Sequence, residues 1–302
     1  MREVVLKANG LTKKYGKQVA LDSANMEVHR GDIYGLIGRN GAGKTTMMKI
    51  ICGLTNPTSG EFEIFGKSGT DVEKERSRIG CLIENPAFFG YMTAYQNLRY
   101  YCYQKGIVNL KQIDEVLELV GLMEARDKKF KAFSLGMKQR LGIAFALLDN
   151  PELVILDEPI NGLDPIGISE LREVFVRLAK EKGVTIVISS HILSELYATA
   201  DHFLFVEKGH VLKDYTKEQL DTECSKCLVL KTNNTKKAAT VLEMVLDVND
   251  YKVINDEEIR IYKLDIDIPM VSKRLIENDV AVLGLFEAGV SLEEFFKQLV
   301  EA

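Results

Sequence analysis

The sequence predicts an α/β fold in two parts, a large domain over residues 1–221 and a smaller one over residues 222–302. Three observations carry this. A glycine-rich turn at residues 38–45 separates an apolar, strand-like run from a helix-like one. Two short continuous apolar runs, Leu153–Leu156 and residues 185–189, flank a helix-spaced segment, the mark of parallel strands covered on both faces. After about Asp221 the alternation of strand-like and helix-like segments begins afresh.

In order, residues 4–8, 19–28 and Ile33–Ile37 read as strands, followed by the turn and a helix over 45–52. Residues 61–65 and 79–83 add two more strands. Over 94–104, 111–120 and 137–148 the apolar spacing becomes helical, so a helical insert of about residues 88–150 is expected. The helix over 167–180 then joins the two apolar strands into a βαβ unit, and 203–207 with 210–213 read as a hairpin around Lys208-Gly209. Beyond it, strands are expected at 228–231, 251–254, 259–264 and 280–286, and helices at 235–246, 269–277 and 292–300. That βαββαβα order describes a small α/β accessory domain.

Hydrophobic residues make up 46% and charged residues 27%, so a core forms without a metal or disulfide framework. The net charge of −5 lies wholly in residues 223–302, which carry 15 acidic and 10 basic side chains. A neutral body with an acidic tail excludes a nucleic-acid surface, which needs clustered Lys and Arg. Five cysteines form no framework, and the lone Cys224–Cys227 pair lacks further metal ligands, so a reducing compartment is expected. No signal peptide is expected at the start, and no run reaches the 18 or so apolar residues of a membrane span. Any membrane role therefore calls for a partner that supplies the spans.

The chemistry starts with Gly38-Arg39-Asn40-Gly41-Ala42-Gly43-Lys44-Thr45, which fits GxxxxGK[ST]. Its glycines let backbone N–H groups close around phosphate oxygens, and the following helix points its positive end at them. Lys44 reaches the outer phosphates, and the hydroxyl of Thr45, beside Thr46, suits Mg2+. The strand Leu153–Leu156 ends in Asp157, 113 residues after Lys44, and Glu158. There Asp157 is placed to hold the metal and Glu158 to act as general base on an attacking water.

On these motifs the chain resembles the nucleotide-binding subunit of an ATP-binding-cassette (ABC) transporter, from about residue 2 to 220. The resemblance implies a P-loop NTPase core with an antiparallel β subdomain, and ATP and Mg2+ as ligands. It implies an adenine-stacking role for Tyr15 and a phosphate-contacting, water-holding role for His191, which lies 33 residues past Glu158. Asn161-Gly162-Leu163-Asp164 resembles the loop that crosses between two cassettes, which brings Asp164 to the nucleotide site. Phe133-Ser134-Leu135-Gly136-Met137-Lys138-Gln139-Arg140 aligns with the signature LSGGQxQR, with Leu135 for the first glycine and Met137 for the glutamine. Ser134 and Gly136 remain, and the family pattern places them on the ATP of the opposite subunit, so a nucleotide-sandwich dimer is expected.

A second departure is Glu84, in Ile79-Gly80-Cys81-Leu82-Ile83-Glu84-Asn85-Pro86, where the family has a glutamine that senses the metal and couples to the membrane subunit. A carboxylate there adds charge and becomes a further Mg2+ candidate. The segment 84–98 and the Ser-Leu-Gly-Met-Lys variant are similar to the exporters that protect bacteria from bacitracin and lantibiotics. The expectation is therefore an ATPase subunit of a peptide-antibiotic exporter, docked on the inner face of the membrane by a polytopic permease. Phe88, Phe89, Tyr91, Tyr95, Tyr100 and Tyr101 either cap a helix of that permease or fill the insert's own core. The alternative is a soluble, non-transport ABC ATPase. The single cassette, and a Ser134 that follows Thr45 by only 89 positions, weigh against it.

Overall fold

In a computed structural model the chain divides into two units, residues 1–217 and 218–302. The structure describes all residues except Met1, Asn85, Ser225, Lys226, Lys263, Leu264, Asp265, Val290 and Ala302. Asn85 of the segment around Glu84, and Lys263 and Leu264 of the expected strand 259–264, thus lie outside the described residues.

The first unit opens with two long strands, β1 (Val4–Tyr15) and β2 (Gln18–His29), then β3 (Ile33–Ile37) and α1 (Lys44–Ile51). Next come β4 (Ser59–Ile64), β5 (Lys67–Ser68), the single turn α2 (Val72–Glu75) and β6 (Ile79–Leu82). The helical insert holds α3 (Ala94–Lys105), α4 (Lys111–Leu119) and α5 (Leu135–Leu147). It is followed by β7 (Leu153–Leu156), α6 (Pro165–Lys182), β8 (Thr185–Ser190), α7 (Leu193–Tyr197), β9 (His202–Glu207) and β10 (His210–Thr216).

Among the described residues these strands form two sheets. One is antiparallel, in the order β2-β1-β4-β5. The other has the order β10-β9-β3-β8-β7-β6 and is parallel except for the β10–β9 hairpin. Strands β3, β7 and β8 are buried along their whole length, as continuous apolar runs in a covered parallel sheet must be. Helix α1 lies between the sheets, and Met47, Met48, Ile50 and Ile51 join Leu6, Leu11, Leu21, Leu36 and Ile155 in one core. That core fixes the start of α1 relative to the ends of β3 and β7, which is where the site forms.

Strand β1 continues to Tyr15 instead of ending at Ala8, because register shifts around Leu11 and Lys13 absorb the polar Asn9-Gly10 step without breaking the pairing. The insert is anchored by α3, whose N-cap Thr93 and Gln96 form a reciprocal capping box. Its aromatic residues divide. Phe88 packs edge-on against Tyr101, Phe130 and Phe145, whereas Tyr91, Tyr100 and Tyr103 remain exposed beside Arg99.

Helix α8 (Lys217–Cys224) starts at the last residue of the first unit, and the second unit continues with β11 (Cys227–Lys231), α9 (Thr235–Met244), β12 (Tyr251–Asn255) and β13 (Glu258–Ile261). It ends with α10 (Ile268–Glu277), β14 (Gly284–Ala288) and α11 (Leu292–Glu301). Its strands form an antiparallel sheet ordered β12-β13-β11-β14, and Leu228, Leu230, Ile259 and Ile261 pack on α9 and α10. The last strand starts at Gly284, not at residue 280. Val280 is instead drawn into the core, where its N–H donates to the carbonyl of Leu275 and closes α10. Among the described residues no helix is long and apolar enough to cross a membrane.

Candidate active site

The sequence 38–45 folds into a tight loop because two of its glycines take a backbone form that other residues resist. Gly41 and Gly43 have φ of 81° and 114°. Gly38 is needed for a different reason, since a β-carbon there would collide with the carbonyl oxygen of Val206 on β9. Helix α1 then begins at Lys44 with no side-chain cap, so its first N–H groups stay available to an anion.

Around the loop lies a cleft of about 520 Å³, lined by Arg39 to Thr46 and by Tyr15, Gln18, Val19, Ala20, Glu158 and Lys208. Asn40, Gly41, Ala42 and Thr46 thus face it together. Tyr15 is half exposed at the cleft edge, with the Lys13 ammonium 5.0 Å from its ring centre. Lys44 is buried, and its Nζ donates to the carbonyls of Gly38 at 2.5 Å and Arg39 at 3.3 Å. The ammonium is therefore aimed into the loop itself. Its charge is also 3.4 Å from Oε1 of Glu158.

The ends of β7 and β8 complete the centre. Thr45 Oγ1 donates to Oδ2 of Asp157 at 2.8 Å, bringing a hydroxyl and a carboxylate from distant segments to one point. Two hard oxygen donors beside a phosphate loop suit Mg2+, so the residues present fit that ion. The other carboxylate oxygen of Asp157 accepts from Ser189 at 2.6 Å. Glu158 sits in the left-handed region with φ of 49°, its N–H donating to Ser189 Oγ and its carbonyl accepting from Gln139. His191 Nδ1 is 2.9 Å from Glu158 Oε2.

Other expected residues lie elsewhere. Ser134 and Gly136 do not belong to the described lining of the cleft. They start α5, where the Ser134 hydroxyl, at an exposed position, accepts from the N–H of Met137. Leu135, in the place of the signature glycine, leans over Gly162 so closely that a β-carbon at 162 would strike it. Asp164 caps α6 by accepting from the N–H of Gly167. Glu84 is exposed and ion-paired with Lys49 of α1 at 2.5 Å. Sequence reasoning passed over Ser189 and Gln139 as holders of Glu158. The sequence carries no signal for them: Ser189 comes beside Asp157 only through the register in which Leu156 pairs with Ile188.

Residues 21–161 match the ABC transporter family model. The chain is 45% identical to the bacitracin transport ATP-binding protein BcrA of Bacillus licheniformis over 98% of its own length and 97% of that protein. It is also 45% identical to the lantibiotic transport ATP-binding protein SrtF of Streptococcus pyogenes, over 70% of this chain and 91% of that one. A dimeric ATP-binding cassette, MJ0796, solved in a post-hydrolysis state with ADP and Pi, superposes with a TM-score of 0.64 at 26% identity. It covers 70% of this chain and 98% of its own.

Proposed function

Because the chain belongs to the ABC transporter family, as an ATP-binding subunit that hydrolyses ATP, we propose that Lys44, Glu158 and His191 carry out the hydrolysis and that the cargo is a peptide antibiotic. The observation that carries this reading is the placement of Glu158, with Lys44 at one carboxylate oxygen and His191 at the other. In the proposed reaction Glu158 takes a proton from the water that attacks the γ-phosphorus, and ADP leaves. Lys44 and the N–H groups of the 38–45 loop stabilise the phosphate charge, while His191 holds the base and the water in line. Thr45 and Asp157 would hold Mg2+, which would supply charge neutralisation for the phosphates, and Glu84, paired with Lys49 in this structure, is the further candidate ligand.

Tyr15 supplies a face for adenine at the cleft edge. Ser134 and Gly136 act on the ATP of a second cassette, which their position outside the described lining of the cleft supports. Asp164 lies on the loop that crosses to that subunit. The working unit is a nucleotide-sandwich dimer on the inner face of the membrane, held there by a polytopic permease. The exposed aromatic groove at Tyr91, Tyr100 and Tyr103 suits a helix of that permease. Residues 222–302 form an accessory domain.

Bacitracin resistance tests the reading. Coexpression with its permease raises the bacitracin concentration that cells tolerate, and Glu158→Gln removes the effect. Undiminished resistance with Glu158→Gln contradicts the assignment of the base.

A further inference from the structure

We infer that Ser189 is a positioning residue for hydrolysis, its hydroxyl setting the metal-side carboxylate of Asp157 and the backbone of Glu158 in one geometry. The inference rests on the reading of Glu158 as base and Asp157 as metal ligand.

Ser189 ends the apolar run of β8 and is wholly buried. A hydroxyl has one proton to donate and lone pairs to accept. Here the proton goes to Asp157 Oδ1 at 2.6 Å, and a lone pair receives the N–H of Glu158 at 2.9 Å. Donation to Asp157 thereby orients the oxygen that grips Glu158. Thr45 occupies the other oxygen of Asp157, so the carboxylate is held at both ends and cannot turn.

Glu158 needs such a grip. Its φ of 49° is a strained value for a residue with a β-carbon, and such conformations persist only where the surroundings over-determine them. Ser189 holds the N–H, Gln139 of α5 holds the carbonyl at 3.2 Å, and the preceding N–H of Asp157 donates to Leu82 at 2.8 Å. Removing the Ser189 hydroxyl orphans the part-buried N–H of Glu158 and a buried carboxylate oxygen of Asp157 together. The strain at Glu158 then has less to oppose it, and the base moves off the line of attack.

The test compares Ser189→Ala, Ser189→Thr and Glu158→Gln in the full chain, reading kcat, KM for ATP, half-saturating Mg2+ and thermal midpoint. Outer partners of metal and catalytic groups are worth roughly 10–100-fold. Ser189→Ala is expected to lower kcat by about that factor and raise half-saturating Mg2+, with KM for ATP changed less than about threefold. Ser189→Thr, which keeps the hydroxyl, recovers most of kcat. If Ser189→Ala does not fold, Ser189→Cys, of similar shape but a weak donor, replaces it with the same expectation. Wild-type kcat and Mg2+ dependence with only a lower thermal midpoint overturn the inference, as do alanine and threonine variants that are equally slow. Full activity in Glu158→Gln sinks the reading of the base itself, and a dead Glu158→Gln beside a normal Ser189→Ala sinks this inference alone.

Discussion

His191 Nδ1 lies 2.9 Å from Oε2 of Glu158, while Lys44 approaches the other oxygen of the same carboxylate at 3.4 Å. A residue of the phosphate loop and one just beyond β8 thus meet on one side chain, which itself follows β7. Each can be removed with a different consequence. His191→Ala is expected to lower kcat by about 100-fold or more, the range of a lost acid–base partner, while ATP binding persists. Lys44→Ala is expected to weaken ATP binding itself. Equilibrium binding of a fluorescent ATP analogue beside steady-state turnover separates the two; equal loss of binding in both variants contradicts the division of labour.

The close approach of α5 to β6 gives a prediction about stability. A β-carbon at Gly80 would run into the carbonyl oxygen of Ala146, a backbone atom that cannot swing aside. Gly80→Ala should therefore push the insert helix off the sheet and cost about 1–3 kcal/mol or more, seen as a lower urea midpoint. The same change at Gly106, where nothing lies nearby but φ is 73°, costs about 1 kcal/mol through backbone strain alone. Equal midpoints for the two variants would contradict the packing account.

A third prediction concerns acid. The hydrogen bond from Arg78, backed by one from Arg30, holds Glu152 down at about 2 from an ordinary 4.5. A carboxyl depressed in the folded state stabilises it above the unfolded value, and that contribution is lost as pH falls through the folded one. Wild type should thus exceed Glu152→Gln in stability at pH 7, with the gap closing between pH 4.5 and 2. Because the side chain is 39% exposed, solvent limits the gap to about 1 kcal/mol. Denaturant titrations at pH 7 and pH 3 measure it, and a gap that widens in acid reverses the sign.

What was legible in the sequence followed from local rules. Strands β3 and β7 end where they were expected, because buried parallel strands read as unbroken apolar runs closed by glycine or carboxylates. Lys44, Asp157 and Glu158 stand out in the sequence because their motifs reflect the strand-loop-helix unit that carries them, and His191 through the family resemblance; the structure brings Lys44 and His191 to the two oxygens of Glu158. The Lys49–Glu84 ion pair could not, since it joins α1 to the loop after β6 across 35 residues of chain. Leu135 over Gly162 is likewise a contact between segments, invisible until α5 and the loop before α6 are set side by side. The sequence pattern ends the first strand at Ala8, whereas β1 runs on to Tyr15, because an irregular register tolerates polar residues that normally end a strand.

We propose that this cassette hydrolyses ATP in a site completed by a second copy. Light scattering of Glu158→Gln with ATP and Mg2+ tests it most directly. A shift from monomer to dimer that needs ATP, and that Ser134→Ala abolishes, is the predicted result. A protein that stays monomeric at saturating ATP, or dimerises equally with Ser134→Ala, contradicts it.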